Sequence, residues 1–270
     1  MEQISIEKLF FFIDSIKNVF SVFFSMGRRA KRTKVFYLIS LLPVAMATLI
    51  KVTRMFSERS DIDGIYIFSN MIVVFYLQFL ILILSLFFGI SVCSEELEGK
   101  TLTYLTTRPV SKSAIVLGKY GAYTSLIILM TAAGLVFSFL ILNANRFLKF
   151  SIYKTLLRDA VVLSLGLICY TAFFTFIGIV LKRSIMFGLI FSFGWESVIQ
   201  YFPGSTQRFS IVHYLKSLLP GQTGGRFSFL LFRLEPSSPA FALFMLFLIA
   251  VVFLGLACLL FSLREYIIED

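Results

Sequence analysis

The chain has one histidine and one tryptophan in 270 residues, three cysteines and only 15% charged residues, where an ordinary soluble domain carries about a quarter. Each scarcity removes a class of function. With His213 alone, neither an imidazole pair for acid–base work nor a histidine metal cluster can be assembled. Cys93, Cys169 and Cys258 fall in or at the ends of apolar runs, without the spacing of a zinc site or a disulfide framework, and read as small apolar core residues. The inventory argues against a hydrolytic or metal enzyme, and no catalytic residue, metal ligand or cofactor site is expected in this chain. The first 34 residues also lack the order of short basic region, apolar run and small-residue cleavage site that marks a cleavable signal peptide.

What is abundant is apolar surface, at 58% of residues with 33 phenylalanines. Lipid is the expected solvent for most of this chain. The formal charge of +10 is dispersed between apolar runs, with no basic stripe and interleaved aromatics on a soluble module. Anionic lipid headgroups, not nucleic acid, are therefore the expected partner of that charge.

A membrane helix needs about 20 apolar residues. The patterning predicts an all-α integral membrane protein with six spans, near 35–56, 65–94, 120–142, 160–181, 184–202 and 239–263. Pro43 implies a kink in the first span, and Lys51 and Arg54 near its far end can reach the headgroups. Six spans place both termini on one side, and the cluster Arg28, Arg29, Lys31, Arg32 and Lys34 against the first span predicts that side to be cytoplasmic. A bacterial cell membrane and a short cytoplasmic tail at 264–270 complete the expectation.

Ahead of the first span, residues 1–34 carry Leu9, Phe12, Ile13, Ile16, Val19, Phe20 and Phe23 at spacings of three and four, with Glu7, Asp14, Lys17, Asn18 and Ser21 largely elsewhere around the helix. This predicts an amphipathic helix in the membrane interface, either as a plain lipid anchor or also touching a partner protein.

The most informative stretch is SEELEGKTLTYLTTRPVSKSAIVLGKY, residues 94–120. Ser94 with Glu95 and Glu96 suits a helix N-terminus, and Pro109 disfavours helix at Arg108, so a short helix near 95–107 is expected, with Ser111 capping the next. Gly99, Lys100 and Thr101 match the end of a phosphate-binding loop, but the first glycine of such a loop is replaced by Ser94 and a membrane helix, not a strand, precedes it. No polar stretch is long enough to form a nucleotide-hydrolysing domain of about 100 residues or more.

That segment resembles the signature of the ABC-2 type transporter permeases: an acid, Gly, Thr and Leu after the second span, a Pro-Val-Ser-Arg turn, then Leu-Gly-Lys entering the third. The corresponding residues are Glu95 or Glu96, Gly99, Thr101 and Leu102, then Pro109, Val110, Ser111 and Lys112, then Leu117, Gly118 and Lys119. Lys100 is inserted and Lys112 stands where Arg is usual. The resemblance implies an exporter-type permease: two such subunits, identical or homologous, around a central pathway, with ATP and magnesium bound by separate ATPase subunits below. It implies that Glu95, Glu96, Glu98, Gly99, Thr101, Leu102, Leu105 and Pro109 form a coupling helix seated in the ATPase, with the N-terminal helix as the connecting helix beside it.

Glu196 is the one acid within an apolar span, where a charge costs at least a few kcal/mol unless paired or near water. It either lines the pathway or a gate, or sits near the outer interface, paired with an Arg or hydrogen-bonded to a neighbour. Gln78 reads mainly as an interhelical hydrogen-bonding residue, with a pathway role as the lesser option. The connection after the fifth span predicts a short surface or re-entrant helix around His213, with His213 itself a packing residue. Gly121, Ala122, Ala132, Ala133, Gly134, Gly166 and Gly178 mark close-packing faces. An ion-coupled carrier would need mid-span ionisable groups and usually an internal repeat, and a membrane enzyme would need paired acids or a nucleophile with its base; the sequence supplies neither set.

Overall fold

The computed structural model describes residues 2–56, 64–98, 111–144, 150–202, 205–219 and 237–263, and every element in them is helical. Helix α1 spans Glu2–Arg29, α2 Lys31–Ser40 and α3 Leu42–Phe56. A continuous rod follows, made of α4 (Gly64–Met71), a π-helical stretch (Ile72–Leu80) and α5 (Ile81–Glu98). Then come α6 (Lys112–Leu142) and α7 (Phe150–Val180), each 31 residues. A broken rod runs through α8 (Ser184–Leu189), a π stretch (Ile190–Trp195) and α9 (Glu196–Val198), and the last described helices are α10 (Ile211–Ser217) and α11 (Pro239–Leu263).

Six of these helical segments are long and apolar enough to cross a membrane: Phe10–Arg29, Lys31–Thr53, Ile67–Cys93, Lys112–Leu142, Ile152–Val180 and Pro239–Leu263. The number agrees with the expectation and five segments coincide with expected spans. The sixth differs, because α1 qualifies by length while the apolar helix Ser184–Val198 falls short. A π turn and a short 3-10 turn at Ile199–Tyr201 end the regular helix before residue 202.

The kink implied by Pro43 appears as a break at Leu41. Proline has no N–H to give the carbonyl four residues earlier, and the Leu41 N–H instead closes the α2 end on Tyr37 and Leu38, each at 3.1 Å. The expected cap at Ser94 is not found: α5 passes through Ser94 without interruption to Glu98. Glu95, Leu97 and Glu98 are good helix formers, and no glycine or proline intervenes before Gly99 to stop the span. Residues 99–110 lie outside the described residues. Ser111 does cap α6, its Oγ accepting from the Ala114 N–H at 3.3 Å.

At 1.5 Å per residue α6 and α7 are each about 46 Å long, against a hydrocarbon core of about 30 Å. Each is therefore longer than an upright crossing requires. Runs free of charge mark only the apolar middle of such rods, so the helices begin earlier than the spans expected at 120–142 and 160–181.

The core lies between α5 and α7. A Cβ on Gly89 would fall 2.8 Å from Phe174 Cβ and 2.9 Å from the Thr171 carbonyl oxygen, so only glycine lets these backbones approach. Helix α11 covers α7 with Phe253 edge-on to Phe173 at 4.9 Å and leaves residues such as Phe247 outward. Helices α1 and α3 pack on α6. The small residues singled out in the sequence make contacts within the chain: Gly134 meets Ser40, Gly166 meets Leu215 and Gly178 meets Ile90.

Candidate functional site

Two polar clusters stand out from the apolar core, one at each end of the helical rods. At the end where α5 leaves and α6 begins, Lys119 is buried to 1% exposure. Its Nζ donates to the Val92 carbonyl oxygen of α5 at 3.0 Å and lies 4.6 Å from the centre of the Phe23 ring of α1. One residue earlier on α5, Ser91 Oγ accepts from the Arg32 guanidinium of α2 at 3.1 Å. Arg32 also donates to Tyr123 Oη at 3.4 Å and sits 5.7 Å from that ring's centre.

Burying an ammonium is unfavourable unless charge-assisted bonds and aromatic faces offset the lost hydration. The carbonyl and the Phe23 ring supply both at Lys119. Two cations from two different helices thus hold consecutive residues of α5, six or seven residues before it ends at Glu98.

Gly118 sets the approach of α1. A Cβ there would meet Val19 Cβ and Cγ1 at 2.7 Å and the Ile16 carbonyl oxygen at 3.0 Å. Phe12, Ile16, Val19, Phe20 and Phe23, five of the seven residues in the expected apolar stripe, are half-buried, whereas Ile13 is exposed. The stripe therefore faces the protein's own α6. A second set, including Phe10, Phe11 and Met26, faces outward.

At the other end, Glu196 is buried to 1% exposure. Its carboxylate accepts from Tyr170 Oη of α7 at 2.8 Å, from Ser210 Oγ, and from the Ile211 N–H at the start of α10 at 3.0 Å. The Gln200 side chain donates to the Glu196 carbonyl oxygen, and Lys216 Nζ donates to Gln200 Oε1. Burial pulls the Lys216 ammonium down to about 8, while the nearby Glu196 charge pulls it back up. His213 is buried and its Nε2 pairs with Ser237 Oγ at 3.1 Å. Tyr170, Ser210 and the start of α10 thus close around a carboxylate bonded from three sides.

Of the residues expected to couple, Glu95, Glu96 and Glu98 belong to the last turns of α5, while Gly99, Thr101, Leu102, Leu105 and Pro109 lie outside the described residues. Gln78 is half-buried in the π-helical stretch, and the Glu196 carboxylate bonds to Tyr170, Ser210 and Ile211, not to Gln78. Lys119, Arg32 and Tyr170 were missed as site residues. Nothing local marked Lys119: a lysine at the end of an apolar run ordinarily reaches the headgroups, and its burial follows from the packing of α1 and α5 over it.

No curated protein matches the chain. The family model described as ABC-2 family transporter protein matches residues 28–195, from the basic cluster through both long helices to Trp195. That match covers more than half of the sequence and contains the whole segment from Ser94 to Tyr120, and the chain belongs to the ABC-2 transporter family.

Proposed function

We propose that this chain is the membrane-spanning permease subunit of an exporter driven by a separate ATPase, which docks on the segment from Glu95 to Pro109. The observation that carries the reading is the clamp of Arg32 and Lys119 on Ser91 and Val92. A segment pushed by a closing ATPase displaces the end of α5, and α5 is bonded there to α2 and α6 and overlain by α1. Such a push moves these helices as one body, a rigid switch between two packings.

In this reading α1 is a connecting helix at the cytoplasmic interface, in spite of a length that would let it span. Its Ile16–Gly27 stretch contacts α6 between Gly118 and Leu126, the part of α6 that leads from Lys119 into the core. ATP and magnesium belong to the partner, a second permease copy, identical or homologous, completes the pathway, and both termini lie on the ATPase side. An ion-coupled carrier is less well supported: Asp159 is paired with Arg158 at 3.1 Å, and the Glu196 carboxylate is already bonded from three sides.

The test is charge reversal of the docking segment. Glu95→Lys and Glu96→Lys are expected to dissociate or uncouple the ATPase while the permease keeps its helical content and elutes as a folded particle. Intact ATPase coupling in both variants contradicts the reading.

A further inference from the structure

We infer that the elbow between α1 and α2 is a docking surface for anionic phospholipid headgroups, and that Arg28, Arg29, Lys31 and Lys34 are the cations that hold them. The elbow turns at Ala30, whose ψ of 137° is extended between two helices. Its inner side is fully engaged with the protein. A Cβ on Gly27 would lie 2.6 Å from Leu126 Cδ1, Thr33 is buried, and Arg32 is turned in to Ser91 and Tyr123.

The same turn leaves the other four cations exposed. The basic cluster is therefore two things: one arginine spent inside the protein and four charges presented outside. No acidic residue occurs between Asp14 and Glu58, so this stretch contains nothing to neutralise them.

The level of the elbow identifies the occupant. Arg32 reaches Ser91, two residues from the end of the apolar stretch Ile67–Cys93, which places the elbow where hydrocarbon gives way to headgroups. Met26 on one arm and Leu38 on the other are 60% and 70% exposed. Exposed apolar side chains flanking exposed cations suit acyl chains below and phosphates above. Since the elbow also carries Arg32, a lipid bound there steadies the clamp on α5.

The experiment reconstitutes the purified full-length chain in phosphatidylcholine vesicles with rising fractions of phosphatidylglycerol, re-extracts it gently and counts phosphatidylglycerol retained per chain by mass spectrometry. Retention is expected to saturate, and the half-saturating fraction to rise roughly five-fold for each of the four cations changed to Gln. Lys17→Gln, eleven residues before Arg28 on α1, is expected to leave it unchanged. A variant that keeps the charge, Arg28→Lys with Arg29→Lys, Lys31→Arg and Lys34→Arg, retains the lipid. If the Gln variants do not fold, high salt during extraction of the native chain replaces them, and it must strip the lipid. Unchanged half-saturation in the Gln variants, or salt-insensitive retention, overturns the inference. So does loss of a bound acidic protein from those variants while their lipid retention stays native.

Discussion

Lys119 of α6 and Val92 of α5 are joined by a 3.0 Å bond from the ammonium to the backbone carbonyl oxygen, with Phe23 of α1 lying over the charge. Replacing the carbonyl's partner leaves backbone geometry intact but removes the tie between three helices. A hydrogen bond to a charged group contributes about 1.5–3 kcal/mol, enough to decide whether α5 moves with α6 or past it.

Gly118 governs the seating of α1. Gly118→Val forces a side chain into Val19 and the Ile16 carbonyl, and overpacking of this kind costs about 1–3 kcal/mol. Thermal scanning in detergent is expected to show a lowered transition. Gly255→Ala in α11, where an added Cβ meets nothing within 4 Å, is expected to leave the transition in place or raise it slightly.

The Glu196 cluster behaves as a unit. Glu196→Ala leaves the Tyr170 hydroxyl and the Ile211 N–H without their acceptor and is expected to cost about 3 kcal/mol or more; Tyr170→Phe removes one donor to a charge and costs about 1.5–3 kcal/mol. The double variant is expected to lose less than the sum, because both changes break the same bond. Equilibrium denaturation of the four proteins reads the coupling; strict additivity would show that the cluster does not act together.

Lys216 gives the stability a pH dependence of definite sign. Its folded value of about 8 lies below the ordinary 10.5, so between those values the unfolded chain binds more protons than the native one. Stability from this group therefore rises with pH through the window from about 8 to 10.5, by up to about 1.4 kcal/mol per unit, and the full penalty is present below 8. Subtracting the melting profile of Lys216→Met from that of the native chain should leave this rise. A flat difference contradicts it.

The apolar rods were legible because charge exclusion is a strong constraint: α11 and the middles of α6 and α7 follow from runs without Asp, Glu, Lys or Arg. Their ends were not, since a helix continues through Lys119 or Arg158 without any local signal. Ser94 misled for a related reason. A capping residue acts only where the backbone stops being helical, and the helix-forming run Glu95–Glu98 gives it no reason to stop. The Glu196 cluster could be placed near an interface from its position, but its partners Tyr170 and Ser210 are 26 and 14 residues away, a pairing that only the packed helices reveal. The stripe on α1 was legible as a face; that it packs on Gly118 instead of lipid depended on tertiary contact.

The most direct test of the clamp is ATP hydrolysis by the cognate ATPase, measured alone and assembled in lipid with the native chain or with Lys119→Met. Methionine matches the length of lysine without its charge, so the permease should fold and bind the ATPase. The account predicts that the native chain changes the hydrolysis rate several-fold and that the Lys119→Met chain, though assembled, leaves it at the rate of the isolated ATPase. An assembled Lys119→Met complex that hydrolyses ATP at the native complex's rate would contradict it.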